Sequence, residues 1–235
     1  MAAPVGIGPS LQWVSGEVAA KVATVRRIIP SAKVDVWPPY VRAVESMAAG
    51  ARQYPAHSHE QEEVLTYVLE GFASYQLEGG PPESMRPGSV RLFTVYDKTA
   101  HRISPGKGSS IRWFSLVLAL SGGTKGENRL QSALPALSPV QAEGARIRPL
   151  VGPGTPVTSS AGLEAKEIQF AERGTAFLRV GRARRGIVYV LAGRGAVDAQ
   201  PIEVGEAVLI ERTSGFALQG TPGLRALVAT APAPG

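Results

Sequence analysis

The 235-residue chain is expected to fold as an all-β protein of two tandem barrels packed together. Gly (27) and Pro (19) are plentiful, and charged residues make up 19% against 44% hydrophobic, a balance that suits many short strands joined by tight turns. The apolar runs are short and end in glycine, and their order in the first half recurs in the second. At this length one large β-domain or two small ones can form, and the recurrence selects two.

In the first half, Glu62 to Gly71 (EEVLTYVLEG) has the β-branched and aromatic content of a buried strand, and Gly71 supplies a turn position free of Cβ strain. Phe72 to Leu77 reads as the next strand, closed by Glu78-Gly79-Gly80-Pro81-Pro82. Pro87-Gly88 marks a turn before a strand at Val90 to Val95, and further strands follow at Ala100 to Ile103 and Ile111 to Leu120. Short strands between Gly/Pro turns predict an antiparallel barrel or sandwich.

From Ser121 to Pro156 the pattern breaks into Gly, Ser and Pro, with one short helix expected near Asn128 to Leu134. The expected organisation is therefore a first domain at residues 1–120, a linker at 121–156 and a second domain at 157–235. Ile187 to Gly193 echoes Leu65 to Gly71, and Ile202 to Val208 echoes Met85 to Val90, as an internal duplication requires.

Composition excludes several classes of chemistry. With no Cys, neither disulfides, thiolate catalysis nor Cys-ligated zinc is available, so a transition-metal site must use His, Asp or Glu. The net charge of +6 and pI near 9.8 could favour an acidic partner. The excess is spread along the chain, however, and its densest run, Arg182-Ala183-Arg184-Arg185, predicts a solvated surface rather than a nucleic-acid footprint. No signal-like start and no apolar run of about 20 residues is present, so no membrane partner and a cytoplasmic location are expected.

The chain has three histidines, His57 and His59 in an HSH triplet and His101. On a strand, residues i and i+2 project from one face, so His57 and His59 can direct both imidazoles at one point inside a barrel. Glu63 has the same parity and could add a carboxylate if the chain stays extended beyond His59. The competing reading makes HSH a polar loop pair, His101 a lone hydrogen-bonded histidine and Glu63 a surface glutamate beside Glu60 and Glu62.

The stretch HSHEQEEVLTYVLEG (His57 to Gly71), then Arg86-Pro87-Gly88-Ser89-Val90 and His101, resembles the first domain of the pirin family of the cupin superfamily. Arg27-Ile28-Ile29-Pro30 and Ile111-Arg112-Trp113-Phe114 extend the likeness over about residues 20–120. The resemblance implies two cupin (jelly-roll, or double-stranded β-helix) barrels, the N-terminal one binding iron or another divalent metal. It also implies four ligands: an HxH pair, a later His and a Glu two residues after that His. His57, His59 and His101 match, whereas the fourth position holds Ile103. The wider superfamily takes a Glu from an HxHxxxE segment, which makes Glu63 the expected replacement. Three histidines completed by water are the alternative.

Aligning Gly193 with Gly71 puts Arg179, Gly181 and Arg185 at the positions of His57, His59 and Glu63, and aligning Gly205 with Gly88 puts Leu218 at that of His101. None of the four is a plausible ligand, so the second barrel is expected to be metal-free. Fe(II) is the ion the resemblance implies, while Mn(II), Ni(II), Co(II) and Zn(II) also suit His and carboxylate donors.

Three functions follow from the likeness. One is a quercetin 2,3-dioxygenase type of enzyme, taking O2 and a small aromatic substrate, with Glu63 as general base for the flavonol hydroxyl. Tyr67, Phe93 and Trp113 would line an aromatic pocket in that reading, or else serve as core. The second is a metal-dependent regulatory protein with a protein partner, and the third a scaffold that has lost its metal. A monomer is expected, because the two barrels cover each other.

Overall fold

The computed structural model describes residues 10–15, 17–20, 24–31, 34–49, 54–106, 108–120, 124–133, 137–142 and 144–234. Among these there are 22 strands and no helix, so no helix is long and apolar enough to cross a membrane. The first barrel uses β2 (Glu17–Ala20), β3 (Thr24–Ile29), β4 (Tyr40–Ala49), β5 (Tyr54–His59), β6 (Glu62–Gly71) and β7 (Ala73–Leu77). It continues through β8 (Glu83–Met85), β9 (Val90–Val95), β10 (Thr99–Pro105), β11 (Ser110–Ala119) and β12 (Arg129–Ala133). The second uses β1 (Ser10–Ser15), β13 (Val140–Ala142), β14 (Ala145–Val151), β15 (Glu164–Gln169), β16 (Gly174–Arg179) and β17 (Arg184–Ala192). It is completed by β18 (Arg194–Val197), β19 (Gln200–Glu203), β20 (Glu206–Glu211), β21 (Gly215–Gly220) and β22 (Arg225–Pro232).

Each barrel is a seven-stranded sheet facing a four-stranded one. The large sheets run β12-β9-β6-β11-β4-β3-β2 and β1-β20-β17-β22-β15-β14-β13, and the small ones β5-β10-β7-β8 and β16-β21-β18-β19. The duplication read from the sequence is thus a duplication of topology, strand for strand. Gly71 and Gly193 close the equivalent strands β6 and β17 for a steric reason. Both have φ near +75°, and a Cβ there would lie 1.8 Å from the Ser110 carbonyl oxygen or 2.8 Å from that of Gly223.

The structure departs from the expected division at residues 120 and 157: β13 and β14, inside the expected linker, already belong to the second barrel's large sheet, and two further strands cross between the halves. β1 pairs with β20 of the second barrel, and β12 pairs with β9 of the first. Each large sheet is therefore finished by the strand that precedes the other barrel in sequence, which covers an edge that would otherwise be open. The segment expected to be a short helix at Asn128 to Leu134 is, over its described part, this strand β12: Leu130 lies opposite Phe93, so tertiary pairing overrides a weak local preference.

The largest core lies between the two large sheets. Alternation along β6 sends Leu65, Tyr67 and Leu69 to that interface and Val64 and Val68 into the first barrel. In β17, Ile187, Tyr189 and Leu191 meet them, while Val188 and Val190 fill the second barrel. Strands buried on both faces explain why EEVLTYVLEG reads as a continuous apolar run rather than an alternating one.

Candidate metal centre

His57 and His59 stand two residues apart on β5 and so share a face, and β10 places His101 directly opposite His57. The result is a cluster inside the first barrel. The His59 Nε2 lies 3.2 Å from the His101 Nε2, which lies 3.1 Å from the His57 Nε2. Among the described residues, these three form the group of His, Asp and Glu side chains close enough to share an ion. His59 and His101 are buried and His57 is half-buried.

The ring protons are directed by the neighbours. The Pro55 carbonyl, 3.1 Å from the His57 Nδ1, can only accept, and the Glu62 carboxylate lies 2.6 Å from the His59 Nδ1. Both contacts keep the proton on Nδ1 and turn an Nε2 lone pair toward the cluster. His101 can donate at most one Nε2 proton, so at least one of the two short nitrogen contacts joins two lone pairs. A shared cation removes that repulsion. Nitrogens each about 2.1 Å from a common ion stand roughly 3.0–3.4 Å apart, as both pairs that include His101 do, and three imidazole donors suit a divalent transition metal.

Burial favours the neutral form of His57 and His101. It lowers the His57 pKa and drives that of His101 down to about 2, with the neighbouring histidines adding to the effect on His101. Neutral imidazole is the form that ligates a metal. The His101 Nδ1 is buried without a hydrogen-bond partner among the described residues, and its ring packs 4.9 Å from that of Tyr75 and 6.3 Å from that of Phe93.

The structure does not bring Glu63 to this cluster. β5 ends at His59, a turn follows in which Gln61 takes a φ of 52°, and β6 then starts in the other sheet at Glu62. Parity counted through an extended chain fails across that turn. Glu63 faces the interface with Leu65 and Tyr67, fully buried, and accepts hydrogen bonds from Thr94 Oγ1 (2.9 Å), the Ser160 N–H (2.8 Å), the Ala161 N–H (3.3 Å) and the Ser159 hydroxyl. Its carboxylate anchors the 159–161 segment and is in no position to ligate the ion or to serve as base there. Glu62, read from sequence only as an acidic neighbour, is the residue that supports His59.

Ile103, two residues after His101 on β10, packs in an apolar cluster with Tyr75 and Trp113. A cavity of only about 20 Å³ adjoins the histidines, bounded by Arg42, Val64, Ile103, Trp113 and Ser115. Of the aromatics expected around a pocket, Trp113 lines this cavity and Phe93 flanks His101, whereas Tyr67 lies in the inter-barrel core.

Strand pairing also corrects the counterparts assigned to the second barrel. Tyr75 and Val197 stand four residues past their turn glycines and pair with Ile103 and Leu218, so Leu218 corresponds to Ile103 rather than to His101. The His57–His101 pair then corresponds to Leu178–Phe216, and His59 to Val180. Slightly different loop lengths shifted the alignment made from sequence. All three positions are apolar and buried in the second barrel's core. Of the basic run, Arg184 is committed to Thr230, the Gly162 carbonyl and Glu164, and Arg185 to Glu211, the Pro38 carbonyl and the Trp37 ring.

No protein-family model and no curated protein matches the sequence. Solved structures do match over nearly the whole chain. A quercetin 2,3-dioxygenase from Acinetobacter baumannii superposes with a TM-score of 0.85 at 16% identity, covering 95% of this chain and 79% of that one. The protein GK1651 from Geobacillus kaustophilus gives 0.85 at 18% identity, covering 97% of both chains. The bacterial pirin YhhW from Escherichia coli, solved in complex with nickel(II), gives 0.80 at 13% identity, covering 96% of this chain and 100% of that one. The fold is therefore that of a bicupin, as the first half of the sequence implied. Solved structures of similar shape include quercetin 2,3-dioxygenase and pirin structures.

Proposed function

We propose that the first barrel binds one divalent metal ion through His57, His59 and His101, and that the centre serves O2-dependent oxidation of a small aromatic molecule. The observation that carries this reading is the convergence of three ring nitrogens within 4.8 Å of one another, His101 lying 3.1–3.2 Å from each of the other two. The nickel(II) complex of the similarly folded pirin and the activity named for the similarly folded dioxygenase support it.

A redox-active ion such as Fe(II) would supply the electron transfer that O2 chemistry needs; Mn(II), Ni(II), Co(II) and Zn(II) fit the same donors. The chain's own contribution is electrostatic. Three imidazole donors with no carboxylate among them leave the charge of the ion uncompensated by its protein ligands, and Arg42 lines the same cavity, so the site favours an anionic ligand such as a deprotonated hydroxyl. Glu62 and the Pro55 carbonyl hold two of the rings in place. The mutual cover of the two large sheets fits a monomer.

One observation favours a second reading. The cavity of about 20 Å³ holds a single water-sized ligand and cannot take an aromatic ring as it stands. A regulatory protein, whose metal state alters the surface offered to a protein partner, needs no larger space. The deciding experiment is oxygen uptake and flavonol consumption by metal-loaded protein, with His101→Ala as control. Turnover lost in the variant supports the enzyme, whereas fully loaded protein without turnover supports the regulatory role.

A further inference from the structure

The second barrel lacks a histidine cluster, yet it has a cavity at the place equivalent to the metal cavity. In the first barrel Arg42 pairs with Val117 and Val44 with Ser115, and all four line the space beside the histidines. In the second, Glu164 pairs with Thr230 and Lys166 with Val228, and these four line a cavity of about 140 Å³. The correspondence follows from the shared central strand: Val117 and Ser115 pair with Val64 and Thr66, while Thr230 and Val228 pair with Gly186 and Val188, at matching distances before Gly71 and Gly193. Arg179, at the end of β16, completes the rim.

The polar side of this space carries Lys166, Arg179 and a Glu164 carboxylate already paired with Arg184, and the other side is apolar. Lys166 is half-buried, and its ammonium makes no hydrogen bond or ion pair among the described residues. Glu164, which could serve it, is in an ion pair with Arg184 at 3.3 Å. Arg184 also donates to the Thr230 hydroxyl oxygen, at 3.2 Å from Nε and 3.1 Å from Nη2, which leaves that hydroxyl's proton free to bond a ligand. Val151, Val228 and Pro149 supply apolar wall. Burial lowers the Lys166 pKa, and the nearby Glu164 carboxylate, itself paired with Arg184, offsets this only in part.

We infer that the second barrel binds a small organic carboxylate, its anionic head on Lys166 and Arg179 and its hydrocarbon body against Val151 and Val228. A bound carboxylate supplies the hydrogen-bonded charge partner that Lys166 lacks, and a cavity of about 140 Å³ suits a short-chain or single-ring acid. A dianion without a hydrocarbon body, such as phosphate, would leave the apolar wall unused.

The test is calorimetric titration of the full chain with benzoate, using wild type, Lys166→Met, Lys166→Gln and His59→Ala. The expected result is saturable binding in wild type and in His59→Ala, weakened at least ~10-fold in both lysine variants. Lys166→Met should also raise the thermal midpoint of the ligand-free protein by about 2–4 °C, since it removes a poorly solvated charge. Absence of saturable binding up to about 10 mM, or binding unchanged in the lysine variants, would overturn the inference. Retention in His59→Ala keeps this result independent of the metal centre.

Discussion

Tyr67 and Tyr189 occupy equivalent positions in the two barrels, and each donates its hydroxyl to a glutamate of the other: Tyr67 to Glu167 at 2.8 Å and Tyr189 to Glu45 at 2.6 Å. Each glutamate is also held by an arginine from the strand next to its own, Glu167 by Arg225 and Glu45 by Arg112. The pseudo-symmetry thus extends from the topology into the hydrogen bonds that join the halves. Tyr67→Phe and Tyr189→Phe should each cost about 1–2 kcal/mol in urea unfolding, because a carboxylate shielded from water loses one donor while its arginine contacts remain, Arg225 and Arg148 on Glu167 and Arg112 on Glu45. The double variant should lose the sum, the two bonds being separate.

The exchange of β1 has a consequence at a distance in sequence. A chain starting at residue 17 should expose the edge of β20 and raise amide exchange there by roughly tenfold, without a comparable change in β6 or β11. Deuterium exchange read by mass spectrometry checks this. Faster exchange confined to the first barrel would contradict the pairing.

Ile103 sits on β10 two residues from His101 and faces the same way. In Ile103→Glu, a carboxylate replaces an apolar side chain beside the three imidazoles. Metal-free protein should be destabilised by about 2–4 kcal/mol, while metal loading should restore stability and slow metal release at least ~10-fold. Chelator-challenge kinetics and thermal denaturation of both forms provide the readout.

Acid should act on the metal-free protein through His101. Its folded pKa of about 2 lies below the unfolded value near 6.5, so between these pH values the unfolded chain binds a proton that the folded one does not. Stability therefore falls as pH drops below 6.5, with a slope approaching 1.4 kcal/mol per pH unit from this group. His101→Gln should flatten the profile. Equal slopes in wild type and variant would count against the buried neutral state.

The sequence carried the architecture because glycine-closed strands recur in the same order, and the histidines because an i, i+2 pair survives any register. It misplaced whatever depended on counting across a turn. Glu63 shares the parity of His59 in sequence, but the Glu60–Gln61 turn moves the chain from the small sheet to the large one. Leu218 was matched to His101 because spacing from Gly205 ignored a shorter connection, which strand pairing reveals. β12 looked helical because its partner β9 is remote in sequence, and Glu62 was hidden because a support for His59 has no spacing rule of its own.

The central claim, a three-histidine metal centre without Glu63, is tested most directly by metal content. Plasma mass spectrometry of untagged wild type, His59→Ala and Glu63→Gln, each as purified and after reconstitution with Fe(II) or Ni(II), is the measurement. The account predicts near-stoichiometric metal in wild type and in Glu63→Gln, and its loss in His59→Ala. Wild type that takes up no metal after reconstitution, or folded Glu63→Gln that has lost it, would contradict the account.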